Sequence, residues 1–430
     1  MQWHPEIRRR VFDRRPSYLC GVSDDQLHLL SPAGFQASGV AAGLKKSGKL
    51  DLGLLVCTGD KPAVAAAAFS RNRVVSPTIT VGREHLRSGN LRAVVVNSGN
   101  ANACTGERGE RDARDTCADV ANRLGCDASD VLPSSTGIIG HHLNMSKLLA
   151  GIERAHAELG TSADHAAAFG RAILTTDLVP KQAATKTGGI TVAGVCKGSG
   201  MIGPMMAVDG VVGPQATMLA YITTDAAIEP DRLRGMLDRV VARTFNRTTV
   251  DGHASTNDTC LVLASGLGPA VDDANAMEFE LALQRVCDRL AYQIAKDGEG
   301  ATKVVTVRVT NAKTEAEAAA MAMAIAESPL VKTALHGNDP NWGRIVSMAG
   351  KAAARDDLAF DPSHSSLSIC GTEVFAAGEP VAFDGPALSK IMAGPEVELK
   401  LDVAAGREEA HVYTCDLSRE YITINADYHT

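Results

Sequence analysis

Aromatic residues are scarce in this chain, with Phe, Tyr and Trp making up 4% of 430 positions, whereas 45% of positions are hydrophobic. The interior must therefore be built from Ala, Val and Leu, which suits a soluble chain long enough for two or three domains. No run approaches the roughly 18 to 20 apolar residues that span a bilayer, so no membrane partner is expected. Long polybasic runs are missing outside the first residues, and the formal charge is only -7. Nothing in that balance calls for nucleic acid, and a small-molecule substrate is the default. Ten cysteines run from Cys20 to Cys415, none spaced as Cys-x-x-Cys and several inside apolar runs such as Leu54 to Cys57. That usage describes buried thiols in a reducing cytosol. The twelve histidines include no His-x-x-x-His pair, and His141 and His142 are neighbours that face different ways, so no metal site is expected.

Residues 1–30 carry Arg8 to Arg10 and Arg14 to Arg15. Glu6, Asp13, Asp24 and Asp25 break the acid-poor pattern of a transit peptide, and there is no apolar stretch for a secretory signal. A poorly ordered extension is expected there.

Strand and helix signals then alternate with no repeat, which implies a layered α/β architecture rather than a bundle or barrel. Leu50 to Cys57, Leu91 to Val96 and Thr302 to Val309 are strand candidates, the last alternating in period two and so expected to bury one face. Leu233, Met236, Leu237, Val240 and Val241 form one helical stripe; Leu283, Val286, Cys287, Leu290 and Ile294 form another, which Gly298 should stop. Thr314 with Glu317 is a capping-box pattern ahead of an Ala/Met-rich run through Ala326, whose methionines read as core rather than as a cofactor site.

One dipeptide, Ala216-Thr217, points to chemistry. A threonine hydroxyl is a poor nucleophile at neutral pH, but a threonine at a newly made N-terminus carries its own base, because an α-amino group has a pKa of about 7.7 to 8.0. Most Ala-Thr steps are ordinary main chain, and the surrounding segments decide how this one is read. Those segments are Gly39 to Gly48, Val96 to Gly106, Ser135 to Gly140, Thr175-Thr-Asp177, Lys197 to Ile202, Asn246 to Gly252, Ser255 to Thr259, Lys296 to Lys303, His336 to Arg344 and Asn425 to Thr430. On these motifs, spread from Ala33 to Thr430, the chain resembles the ornithine acetyltransferase family, also called the glutamate N-acetyltransferase family.

The resemblance implies a layered α/β sandwich made as one precursor that cuts itself between Ala216 and Thr217, giving chains 31–216 and 217–430 that share one core and assemble as a heterotetramer. It implies transfer of acetyl from N-acetylornithine to glutamate through an acetyl-threonine, with no cofactor; some relatives also use acetyl-CoA as donor. Thr217 would be nucleophile and base, and Thr136 and Gly137 the oxyanion donors. Thr175, Lys197, Thr217, Glu299, Asn425 and Thr430 would hold substrate. Read without the resemblance, Thr136-Gly137 after Pro133 is equally a turn, Glu299 a solvated loop carboxylate, and Asn425 and Thr430 part of a frayed terminus. Lys197-Gly-Ser-Gly lacks the spacing of a phosphate loop. The polar segments around Asp251, Asp258 and Asn341 read as packing and positioning.

The pattern departs from the family before the nucleophile. Set against the resemblance, residues such as Val208 to Ala216 read as an insertion, or Gly203-Pro204 as partly echoed in Gly213-Pro214, and Val208 stands where the threonine would otherwise fall. Closure entropy tolerates a longer loop, but the geometry of self-cleavage is less forgiving. Two other readings stay open: a related self-processing amidohydrolase or aminopeptidase in which water is the acceptor, and an uncleaved, non-catalytic binding protein. Leu178-Val179, Met205 and His429 are smaller departures beside the implied site.

Overall fold

The structure, a computed structural model, describes residues 26–208, 218–253 and 255–427. Its first sheet has the order β1 (Phe35–Val40), β2 (Leu52–Cys57), β5 (Ala93–Asn100), β6 (Val131–Ile138). Only β5 and β6 run parallel. The second sheet has the order β4 (Asn90–Leu91), β3 (Ala63–Ser70), β11 (Thr259–Ala264), β10 (Leu219–Thr224), β8 (Ile190–Lys197), β7 (Lys181–Thr187), and β9 (Met206–Ala207) also pairs with β3. Here β10 and β11 are the parallel pair.

Alternation along the strands sorts side chains between two cores. Ala65, Ala67 and Phe69 of β3 join Leu55, Val94, Val96, Leu219, Tyr221 and Leu261 between the sheets. Ala66 and Ala68 point the other way, toward the helices Pro230–Arg243 and Ala276–Lys296. The outer face of the first sheet is covered by Gly106–Leu124 and Met145–Ala157, through Cys117, Val120, Leu148 and Ile152. The result is a four-layer α/β/β/α sandwich, in agreement with the layered α/β architecture expected. Both helical stripes read from spacing are buried against the second sheet. The second helix stops at Lys296, with Asp297 rather than Gly298 as its C-terminal cap.

A third sheet follows, with the order β15 (Glu379–Pro380), β14 (Thr372–Ala376), β13 (Ser366–Ile369), β16 (Glu396–Asp402), β12 (Val304–Ala312), β17 (Glu408–Cys415). Val305, Val307 and Val309 enter its core together with Met321 and Ile325 of the helix Glu315–Ala326. Thr314 caps that helix by accepting the Glu317 amide at 3.1 Å, as the capping pattern predicts.

Several expectations change. Leu91 to Val96 is not one strand: the chain crosses at Arg92 from β4 in the second sheet to β5 in the first. The Arg92 guanidinium meets the carbonyls of Cys57 (2.9 Å) and Gly59 (2.5 Å) at that crossing. The extension drawn to residue 30 is too long, because Leu29 and Leu30 are buried between the sheets and Thr223 donates to the Leu29 carbonyl; residues 1–25 lie outside the described residues. The thiols are not uniformly buried, since Cys104 is exposed on the loop after β5. The segments on either side of the Ala216-Thr217 step share the second sheet, because β10 and β11 lie between β3 and β8.

Candidate active site

The long connection from β8 to β10 does not return directly. It runs out to β9, where Met206 and Ala207 pair with Ser70 and Phe69, and the Val208 amide meets Asp238 at 3.3 Å. Val208 is therefore at the edge of β3. The chain reappears at Met218, whose amide donates to the Asp258 carboxylate. Leu219 then sits opposite Lys197 on β8 and Thr259 on β11. Ala216 and Thr217 lie outside the described residues, as does Thr430.

Lys197 is 3% exposed. Burial lowers its ammonium below the ordinary lysine value, reinforced by the like charge of Lys181 and opposed by the carboxylates of Asp177, Asp258 and Glu299. Its ammonium makes no hydrogen bond to another described residue. A cation so placed is a ready partner for an incoming carboxylate.

Thr136 and Gly137 close β6. The Thr136 hydroxyl oxygen is buried with no hydrogen-bond partner among the described residues. Gly137 has φ 130° and lies opposite Gly99, and a Cβ there would sit 2.4 Å from the Gly99 carbonyl carbon, so the position requires glycine. The neighbouring Ser135 carbonyl accepts from Asn257 Nδ2 (2.9 Å), which also bonds the Ala101 carbonyl (2.7 Å). Asn257 precedes Asp258, the acceptor of the Met218 amide. A single turn thus joins the end of β6 to the start of β10. Sequence reasoning assigned this turn to positioning, and its hydrogen bonds are of that kind.

Thr175 lies on the loop before β7, where its amide meets Asp177 Oδ2 at 3.1 Å. Asp177 Oδ1 accepts from Lys181 Nζ and from the Gly198 amide, both at 2.7 Å. Burial works against this carboxylate, but the charges of Lys197 and Lys181, the Lys181 hydrogen bond and the Gly198 amide outweigh it and hold Asp177 down at about 2. Lys181 also reaches Asp297 at 2.5 Å. Lys45 donates to the carbonyls of Leu50 (2.8 Å) and Leu174 (2.7 Å), and burial brings its ammonium down to about 8. Asp177, Asp297 and Lys45 stand in the motifs quoted from the sequence without an assigned role, and Lys181 was not named there. For Lys181 the local signal was its four-residue spacing from Asp177 across Pro180.

Glu299 sits on the loop after the Ala276–Lys296 helix, and its amide donates to the Ser199 carbonyl at 2.9 Å. The Ser199 hydroxyl returns a bond to the Asp297 carbonyl at 2.6 Å. A Cβ on Gly200 would lie 2.1 Å from a Glu299 carboxylate oxygen, which explains the second glycine of Lys197-Gly-Ser-Gly. Asn425, on the helix Arg419–Asp427, donates to Glu299 at 2.9 Å. Ser418 bonds the Gly300 carbonyl at 2.5 Å and the Tyr421 hydroxyl meets Asp251 at 3.3 Å, so the last helix is docked rather than frayed.

Fold and site together define a layered α/β protein in which strand ends of two stacked sheets gather a buried threonine hydroxyl, a buried lysine and an acidic loop. The chain belongs to the ArgJ family, which it matches over residues 36–430. It is 43% identical over 406 residues to the "Arginine biosynthesis bifunctional protein ArgJ" of Parasynechococcus marenigrum, covering 93% of this chain and 95% of that one. The protein of the same name from Thermus thermophilus is 44% identical over 400 residues, covering 93% and 99%. Among solved structures, ornithine acetyltransferase from Mycobacterium tuberculosis complexed with ornithine is similar, at 42% identity and a TM-score of 0.40, covering 42% of this chain and 96% of that one.

Proposed function

We propose that the chain is a self-cleaving acetyltransferase of arginine biosynthesis that moves acetyl from N-acetylornithine to glutamate through an ester on Thr217. The observation that carries the reading is the anchoring of Met218. Met218, the second residue after the proposed cut, is hydrogen-bonded to Asp258 and leads into a strand paired with the buried Lys197.

In the first half-reaction the Thr217 hydroxyl attacks the acetyl carbonyl carbon while the α-amine of the same residue takes the hydroxyl proton. Negative charge develops on the carbonyl oxygen, which the Thr136 hydroxyl and the Gly137 amide would meet. The amide C–N bond breaks, the proton passes to the departing nitrogen, and ornithine leaves an acetyl-threonine ester. In the second, the glutamate amine attacks that ester, its C–O bond breaks, and N-acetylglutamate departs with the threonine hydroxyl restored. Acetyl-CoA as a second donor would enter through the same ester.

Ornithine and glutamate share an α-carboxylate, the group that suits the buried Lys197 ammonium, which has no hydrogen-bond partner among the described residues. Glu299 has the sign to meet the cationic side chain of ornithine, with Asn425 holding its carboxylate from the other side. Thr175, presented by the Asp177 loop, and Thr430 complete the proposed substrate shell. Within this reading the two chains, 31–216 and 217–430, stay together as a heterotetramer of two of each in the cytoplasm.

The test is intact mass under denaturing conditions after incubation with N-acetylornithine and no glutamate. Two fragments are expected, with one acetyl group on the fragment that begins at Thr217. Turnover without that adduct would remove the ester from the mechanism.

A further inference from the structure

Lys181 opens β7, and its side chain is fully buried, as is that of Asp177, while that of Asp297 is 7% exposed. Desolvating an ammonium is costly unless it is well paired, and here it bonds Asp177 at 2.7 Å and Asp297 at 2.5 Å. Lys197 lies beside this pair, within the electrostatic reach of Asp177 and Lys181 as well as of Asp258 and Glu299.

What each carboxylate carries gives the cluster its meaning. Asp177 receives the amides of Thr175 (3.1 Å) and Gly198 (2.7 Å), the latter adjoining Lys197. Asp297 receives the Leu178 amide at 3.1 Å, and its own carbonyl receives Ser199 Oγ at 2.6 Å. Ser199 in turn accepts the Glu299 amide at 2.9 Å. Three separate segments, bearing Thr175, Lys197 and Glu299, therefore meet at one ammonium.

We infer that Lys181 is a positioning residue for the acyl-transfer site: by tying Asp177 to Asp297 it holds the Thr175 loop, the Lys197-Gly198 corner and the Glu299 loop in the single arrangement that receives substrate. This rests on the function proposed above. Lys181 touches no substrate in this account and acts through the two carboxylates. A shift of about 1 Å in a ligand shell made of three loops costs on the order of 100-fold in rate.

The experiment uses the full-length chain, Lys181→Met, and Lys181→Met combined with Asp297→Asn, which removes a carboxylate with the ammonium and leaves the net charge of the cluster unchanged. Each is measured for fragment formation, thermal unfolding, and kcat and KM with N-acetylornithine and glutamate. An inactive wild type would overturn the acyl-transfer reading and this role with it; an active wild type isolates the role of Lys181. The double variant is expected to fold cooperatively and cleave normally, yet to lose about 100-fold in kcat/KM, with a raised KM for N-acetylornithine. A folded double variant with wild-type kcat/KM would overturn the inference. So would failure of both variants to fold, which makes Lys181 a folding residue, or failure to cleave, which moves its action from substrate to processing.

Discussion

Leu219 lies directly across the β8–β10 ladder from Lys197. The pairing aligns the start of the strand that follows the proposed cut with a buried cation, and the Met218 amide is held on Asp258 just before it. Val208, the other position at which the nucleophile could have fallen, is instead placed at the β3 edge by β9. Replacing Thr217 by Ala should therefore leave one polypeptide of 45.0 kDa on a denaturing gel and abolish transfer. Two fragments from Thr217→Ala would move the cut elsewhere.

Thr136→Val separates catalysis from folding. The Thr136 hydroxyl has no hydrogen-bond partner among the described residues, so its removal forfeits no bond to any of them. The melting temperature should stay level or rise. Turnover should fall about 100 to 1000-fold, the usual cost of an oxyanion donor, with little change in KM. A variant with wild-type kcat would exclude the hydroxyl from the reaction.

Gly200→Ala tests the seat of Glu299. The new methyl group would overlap the far end of a flexible side chain, which can swing away at little cost to the fold. Glu299 would then leave Asn425 and the substrate. Losing a charge-assisted contact of about 1.5 to 3 kcal/mol predicts a KM for N-acetylornithine raised roughly 10 to 100-fold, with unfolding scarcely changed. Unaltered KM would show that Glu299 does not contact this substrate.

Acid stability should carry the mark of Asp177. Its carboxyl is held at about 2 against an ordinary 3.8, so the folded state binds its proton less readily than the unfolded chain. The stabilisation is complete above about pH 4 and disappears as pH falls through about 2, an effect of about 2 kcal/mol. Urea midpoints across that window should fall less steeply for Asp177→Asn than for wild type. Equal slopes would place the acid-sensitive group elsewhere.

Much of the scaffold was legible because its signals are local. The Leu233 to Val241 stripe, the Thr314 cap and the alternating Val305, Val307 and Val309 depend on period and on neighbours a few residues away. The alanines of β3 were not legible as a strand, since alanine favours helix in isolation. Burial of both faces between a sheet and a helix layer overrides that preference. Leu91 and Ala93 belong to different sheets for a related reason: an apolar run does not say where it changes partner.

By itself the sequence determined the layered α/β class, the helical faces, and the family through motifs whose residue types and order survive an inserted loop. Tertiary structure alone decided that Lys181 meets Asp297 from 116 positions away, that Asn257 and Asp258 bridge two sheets, and that Asn425 docks on Glu299. Helix period and capping are properties of adjacent residues. Pairing of buried charges is a property of space, set by which strands stack, and no spacing along the chain encodes it.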